Sequence, residues 1–328
     1  MRLLIVRLSA LGDVVCGLPA ASVVRRAVPD AEIVWAVDPR FAGVVECCRA
    51  VDRVVRLKPG RRIADYQVDG DFDIALDLQG LLKSALVTRA SRAKLRLGYH
   101  WQREGASLLV PHVVPAESSL HIVEQVADVA RAAVGEPGCT VEFALQPWDE
   151  DLDSVRAKLL EIDADPDRCV VLNAGAGWVT KRWPPASFAA VARALAEAGW
   201  SAVFIGGPAP ADQAAVEDVC AAGAPDARSL LGQTSVRELI ALIAMARAHV
   251  GGDTGSSHIA AALGVPAVGL YSITLPIRSC PYGQILRCHY DPVGLDRILP
   301  DDVLRTLFEA LGYTAEHAIP GPHGSHDA

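Results

Sequence analysis

The feature that most constrains this chain is an alternation of short continuous apolar runs with longer stretches of helical periodicity, begun once and then begun again. In the first half LLIVRL (3–8), EIVWAV (32–37) and DIALDL (73–78) read as strands buried on both faces, because their apolar residues are consecutive. Helical spacing follows each phase: a helix from about Asp13 to Val28 closed by Pro29, one from Leu81, and IVEQVADVARAAVG ending in Gly135. The second half repeats the pattern with VVLNAGAG, PPASFAAVARALAEAG, AVFIGG, SVRELIALIAMA capped by Thr234 or Ser235, AHVGGD, SSHIAAALG and AVGLYS. Strand–helix alternation predicts doubly wound parallel sheets, and two such units in tandem predict two Rossmann-like α/β domains with a cleft between them.

The boundary falls in the Pro-, Gly- and acid-rich stretch where GEPG and QPWDED flank a last predicted strand, TVEFAL. This gives an N-terminal domain over 1–150, a C-terminal domain over 151–316, and a tail, 317–328, without apolar periodicity and expected to be disordered. The 328 residues suit two domains of ordinary size, and 51% hydrophobic against 21% charged residues excludes general disorder. The net charge of −8 argues against a nucleic-acid partner. Residues 51–100 nevertheless carry ten basic and six acidic side chains, a basic island that suggests a localised anionic partner. None of the eight cysteines forms a C-x-x-C pair, so reduced thiols are expected and no metal site. Arg7 and Asp13 interrupt the N-terminal apolar stretch, which excludes a signal peptide, and no apolar run is long enough to span a membrane.

Four segments carry chemistry. SALGD (9–13) follows the first strand; Gly12 suits a tight turn, and Asp13 opens the helix, either as its cap or as a reactive carboxylate. The loop lacks G-x-G-x-x-G, which disfavours a dinucleotide-dependent dehydrogenase, although Asp38 ends strand two where a ribose-binding acid would sit. GGDTGSSHIAAALG (251–264) is strand, turn and helix, a ready diphosphate site with hydroxyls from Thr254 and Ser256 and close backbone approach at Gly255. Its alternative is an ordinary cap at Thr254 or Ser256 and a packed His258. NAGAGWVTKRWPP (173–185) offers Lys181 to the same phosphates, or a solvated basic pair. LKPGRR (57–62), DLQGLLKSALVTR (77–89) and SRAKLRLGYHW (91–101) supply the basic island, or a set of solvated faces.

Taken in order, R-L-S-A-L-G-D up to residue 13, D-L-Q-G-L-L-K-S-A at 77–85, T-K-R-W-P at 180–184, D-T-G-S-S-H at 253–258 and P-Y-G at 281–283 resemble the heptosyltransferases of glycosyltransferase family 9, most closely its type I branch. The resemblance implies a GT-B fold and an inverting, metal-independent transfer of heptose from an ADP-linked donor to a Kdo-lipid A type acceptor in lipopolysaccharide inner-core synthesis, with no cofactor. It implies that Asp13 is the base and that Lys181, Asp253, Thr254, Gly255, Ser256 and His258, with Ser9 and Gly12, hold the donor. Lys58, Arg61, Arg62, Gln79 and Lys83 fall to the anionic, lipid-linked acceptor. The implied location is cytoplasmic, with peripheral attachment to the inner membrane face left open. The family more often has Leu where this chain has Ser256. A same-fold glycosyltransferase with another donor or acceptor, a sugar-nucleotide epimerase and a non-catalytic nucleotide-binding module are the rival readings.

Overall fold

The computed structural model describes residues 1–58, 60, 63–114, 120–175, 182–224 and 227–313. The chain divides into two compact units. The first takes residues 1–152 together with 235–241 and 277–282; the second takes 153–234, 242–276 and the remainder. Two short segments that sequence order places with the second domain therefore belong to the first.

The first unit runs β1 (Arg2–Val6), α1 (Leu11–Ala27), β2 (Glu32–Val37), α2 (Ala42–Glu46), β3 (Arg53–Arg56), β4 (Ile74–Asp77), α3 (Leu82–Ala90), β5 (Leu95–Tyr99), β6 (His112–Val114) and α4 (Ile122–Val134). Its strands form one parallel sheet in the order β3-β2-β1-β4-β5-β6. Leu4 and Val6 of β1 pack with Val34, Ala36, Phe72 and Ala75 in its core. The sheet is covered by helices, so its strands carry apolar residues on both faces, which is why they read as unbroken apolar runs. α1 packs against α4.

α5 (Asp149–Glu161) carries the chain from the first unit into the second. There follow β7 (Cys169–Asn173), α6 (Pro185–Glu197), β8 (Ser201–Phe204), α7 (Pro210–Ala221), β9 (Arg228–Ser229), α8 (Val236–Met245), β10 (Ala248–Gly252), α9 (Gly255–Ala262), β11 (Ala267–Tyr271), α10 (Pro276–Ser279), β12 (Cys288–Tyr290) and α11 (Pro300–Ala310). The second sheet is also parallel, in the order β12-β11-β10-β7-β8-β9. Counted within its own unit, that is the order of the first sheet. Val170, Leu172, Phe204, Val250 and Val268 from four of its strands make the core with Trp183 and Phe188, whose rings meet edge to face.

Each sheet thus reverses its winding between its first and fourth strands, β1 with β4 and β7 with β10. In a doubly wound sheet the crevice beyond the C-terminal ends of such a pair is where ligands bind. Two sequence expectations need correction. TVEFAL is not a strand: it makes only an isolated antiparallel bridge, Leu145 to Cys48, next to Ala144 in the left-handed region at φ 48°. α1 starts at Leu11, so Ala10 is the cap, Gly12 lies inside the first helical turn rather than in a tight turn, and Asp13 is the third helical residue. At α8, Ser235 makes the cap, its Oγ accepting from the Glu238 N–H (3.2 Å) while the Glu238 carboxylate accepts from the Ser235 N–H (2.8 Å). The expected tail, 317–328, lies outside the described residues.

Candidate active site

In the first unit the loops after β1 and β4 are stapled together. The Leu8 N–H donates to the side-chain oxygen of Gln79 at 2.9 Å, and the Arg7 guanidinium donates to the carbonyl of Leu78. Arg7 is buried and faces Asp13, with Nη2 to Oδ1 at 2.7 Å. The other Asp13 oxygen accepts the Ala10 N–H at 3.0 Å. The carboxylate is therefore held by two donors, yet its side chain is 47% exposed and open to a partner. Lys83, in the first turn of α3, reaches the Ser9 hydroxyl at 3.4 Å. Ser9, Asp13, Gln79 and Lys83 are thus gathered at the β1/β4 switch point, with Gly12 beside Asp13 in the same turn. Gln79 also serves the fold directly, because its oxygen satisfies a buried backbone donor.

Beneath this loop Asp77 is fully buried and accepts the N–H groups of Gln79 (3.0 Å) and Gly80 (2.9 Å). Burial pushes its carboxyl pKa up, against those hydrogen bonds and the nearby Arg7 charge. Gly80 sits at φ +67°, and a Cβ there would lie 2.7 Å from the Trp101 ring. Lys58 is exposed beyond β3, at the sheet edge and two strands from β1. Arg61, Arg62 and Lys181 lie outside the described residues. Asp38, considered above for a ribose, is instead held by Arg40, whose side-chain hydrogen bonds keep its carboxyl pKa below the usual range.

In the second unit β10 delivers Asp253, Thr254 and α9 at the β7/β10 switch point. Thr254 is the N-cap residue of α9, yet no side chain caps the helix. The hydroxyls turn elsewhere. The Asn173 amide, at the end of β7, donates to Ser256 Oγ at 2.9 Å and to Thr254 Oγ1 at 3.3 Å. Thr254 and Ser256 lie 3.0 Å apart, and Ser257 donates to the Gly252 carbonyl at 2.7 Å. The first turn of α9, beginning at Gly255, keeps the arrangement that attracts an anion: N–H groups at the positive end of a helix. His258 is buried with Nε2 3.6 Å from Asp253 Oδ1, so it belongs to the turn rather than to a surface. Behind them His249, fully buried, places Nε2 2.9 Å from Ser256 Oγ. Burial pushes the His249 pKa down to about 3, with the neighbouring His258 adding to the effect.

Sequence reasoning passed over Arg7, Asp77, Asn173 and His249. Arg7 and His249 had a signal: a basic or imidazole side chain inside an apolar strand run needs a partner there. Among the described residues no group of three or more His, Cys, Asp or Glu side chains is placed to hold a metal ion. The eight cysteines form no disulfide, and burial pushes the Cys47 and Cys48 thiols up to about 11 and that of Cys169 up to about 12.

Residues 62–291 match the family described as glycosyltransferase family 9 (heptosyltransferase). The chain is 33% identical over 302 residues to lipopolysaccharide heptosyltransferase 1 of Pseudomonas aeruginosa, covering 87% of this chain and 82% of that one. The chain belongs to glycosyltransferase family 9, the heptosyltransferases. Its fold is the GT-B fold of solved family members. E. coli heptosyltransferase WaaC with ADP superposes with a TM-score of 0.77 at 25% identity, over 94% of this chain and 100% of that one. E. coli ADP-heptose lps heptosyltransferase II gives 0.80 at 22% identity, over 95% and 98%. In this family 9 chain the matched residues include Gln79, Lys83 and the 253–258 turn; the loop bearing Asp13 precedes them. No helix among the described residues is long and apolar enough to cross a membrane.

Proposed function

We propose that this chain moves a heptosyl group from ADP-L-glycero-D-manno-heptose to a Kdo-lipid A type acceptor in lipopolysaccharide inner-core synthesis, with inversion at the anomeric carbon and without a metal ion. The observation that carries the reading is the 253–258 turn: an uncapped helix start, flanked by the Thr254 hydroxyl, at the switch point of a doubly wound sheet. Such a turn suits the diphosphate of a nucleotide sugar, and one solved relative is described as holding ADP. In the reaction an acceptor hydroxyl attacks the anomeric carbon as Asp13 takes its proton. The bond from that carbon to the diphosphate oxygen breaks, and ADP leaves with the electron pair. The α9 N-terminus, Thr254 and Lys181 stabilise the charge gathering on it, the task a divalent cation performs elsewhere. Lys58, Arg61, Arg62, Gln79 and Lys83 hold the acidic acceptor, arginine being suited to carboxylate and phosphate by its paired donors. The test is transfer in excess EDTA, with the product examined by NMR. The reading expects undiminished turnover and an anomeric configuration opposite to the donor's. Retention, or a loss that magnesium restores, contradicts it.

A further inference from the structure

The hydrogen bonds behind the 253–258 turn fix where each proton points. Three heavy-atom contacts converge on Ser256 Oγ: His249 Nε2 at 2.9 Å, Asn173 Nδ2 at 2.9 Å and Thr254 Oγ1 at 3.0 Å. The Asn173 amide can only donate, and its second hydrogen serves Thr254 Oγ1 at 3.3 Å. His249 Nδ1 is buried and has no hydrogen-bond partner among the described residues. Of the two neutral tautomers, one buries an unpaired Nδ1–H donor and the other only an unpaired Nδ1 lone pair. Unpaired buried N–H groups are the rarer case in proteins, which selects the tautomer carrying its proton on Nε2.

That choice settles the rest. Ser256 Oγ accepts from His249 and from Asn173, so both its lone pairs are used and its own proton goes to Thr254. Thr254 Oγ1 then accepts from Ser256 and from Asn173, so its lone pairs are also used. Its proton is the one left over. Ser257, 3.4 Å away, is a poor recipient. Thr254 is only half-buried, whereas Ser256 and His249 are buried, so the remaining O–H is the one with access to a ligand. Reversing the tautomer reverses the chain: Ser256 would donate to His249, Thr254 would donate to Ser256, and an oxygen lone pair would face the ligand.

We propose that His249 is a positioning residue for the nucleoside diphosphate: by donating into Ser256 it obliges Thr254 to present a hydroxyl proton, not a lone pair, to a phosphate oxygen. His249 touches no substrate and acts through Ser256 and Thr254. The inference rests on the donor-site reading given under Proposed function, and the two fail in different ways.

The experiment is a double-mutant cycle read by calorimetric titration of ADP, on the full chain, with melting temperatures recorded for every variant. Thr254→Val removes the donor at nearly constant shape, and His249→Leu removes the proton source. A hydrogen bond to a charged phosphate predicts that Thr254→Val weakens ADP by about 10-fold or more in the native background. In the His249→Leu background the same change should cost less than about 3-fold, since Thr254 is no longer held as a donor. Ser256→Ala breaks the relay one link later with little loss of volume, and should abolish the coupling in the same way if His249→Leu does not fold. An equal Thr254→Val penalty with and without the relay makes His249 a packing residue and overturns the inference. ADP binding indifferent to Thr254 in the native background removes the diphosphate from this turn, and the donor-site reading falls first.

Discussion

Asp13 carries the proton transfer in this account, and its surroundings refine what its replacement should do. Asp13→Asn keeps an oxygen for the Ala10 N–H but deprives buried Arg7 of its charge partner. Because the Asp13 side chain is half open to water, the stability cost should be about 1 kcal/mol, not the larger loss of a fully buried pair. Turnover should fall by about 100-fold or more. Steady-state kinetics beside a denaturant titration separates the two effects, and near-normal turnover in a folded variant removes Asp13 from the chemistry. His249 makes a second prediction. Burial pushes its pKa down to about 3 from the ordinary 6.5, so the unfolded chain takes up a proton that the folded chain refuses. The stabilisation is complete above pH 6.5 and is lost as pH falls toward 3, by at most about 1.4 kcal/mol per pH unit. His249→Leu should therefore flatten the acid limb of the stability profile relative to the native protein. Parallel profiles would place the neutral imidazole's cost elsewhere.

Among the elements, the β4–α3 connection has little room for change. Gly80→Ala would force a side chain into the left-handed region and against Trp101, in the loop whose N–H groups bind Asp77 and whose Gln79 secures Leu8. A loss of about 2 kcal/mol or more is expected in chemical denaturation, with turnover reduced through the displaced Lys83; a variant as stable as the native chain would show that the loop relaxes freely. The elements legible in the sequence were those buried on both faces, such as β1, β2, β7 and β10, where apolar runs are continuous. β5 was hidden because Lys94 and Arg96 made SRAKLRLGYHW read as part of a basic island, whereas Lys94 pairs with Asp73 at 2.7 Å. β6, β9 and β12 are edge strands of two or three residues, too short to show a period. α5 went unread because it starts on the acidic end of the QPWDED boundary stretch, where charges mask a sparse apolar stripe. At the candidate site, turns and hydroxyls were legible as local strings. The pairings Arg7–Asp13 and Asn173–Ser256 were not, because they join strands adjacent only in the sheet or fix a rotamer within a turn.

For the whole molecule, the proposed reaction pairs an acidic chain carrying a locally basic segment with two anionic substrates. Both units use the same strand order, and Asp13, Gln79 and Lys83 in the first and the 253–258 turn in the second lie where the winding reverses. In the proposed reaction the first contributes a carboxylate and cations to the acceptor, the second an uncapped helix start and hydroxyls to the diphosphate. This division predicts that the donor alone is not enough for product. The most direct test is release of ADP from ADP-heptose, compared with other nucleotide sugars, each with and without Kdo-bearing lipid A. The account predicts rapid ADP release only when ADP-heptose and the acceptor are present together. Equal release without acceptor, or a preference for another nucleotide sugar, would contradict it.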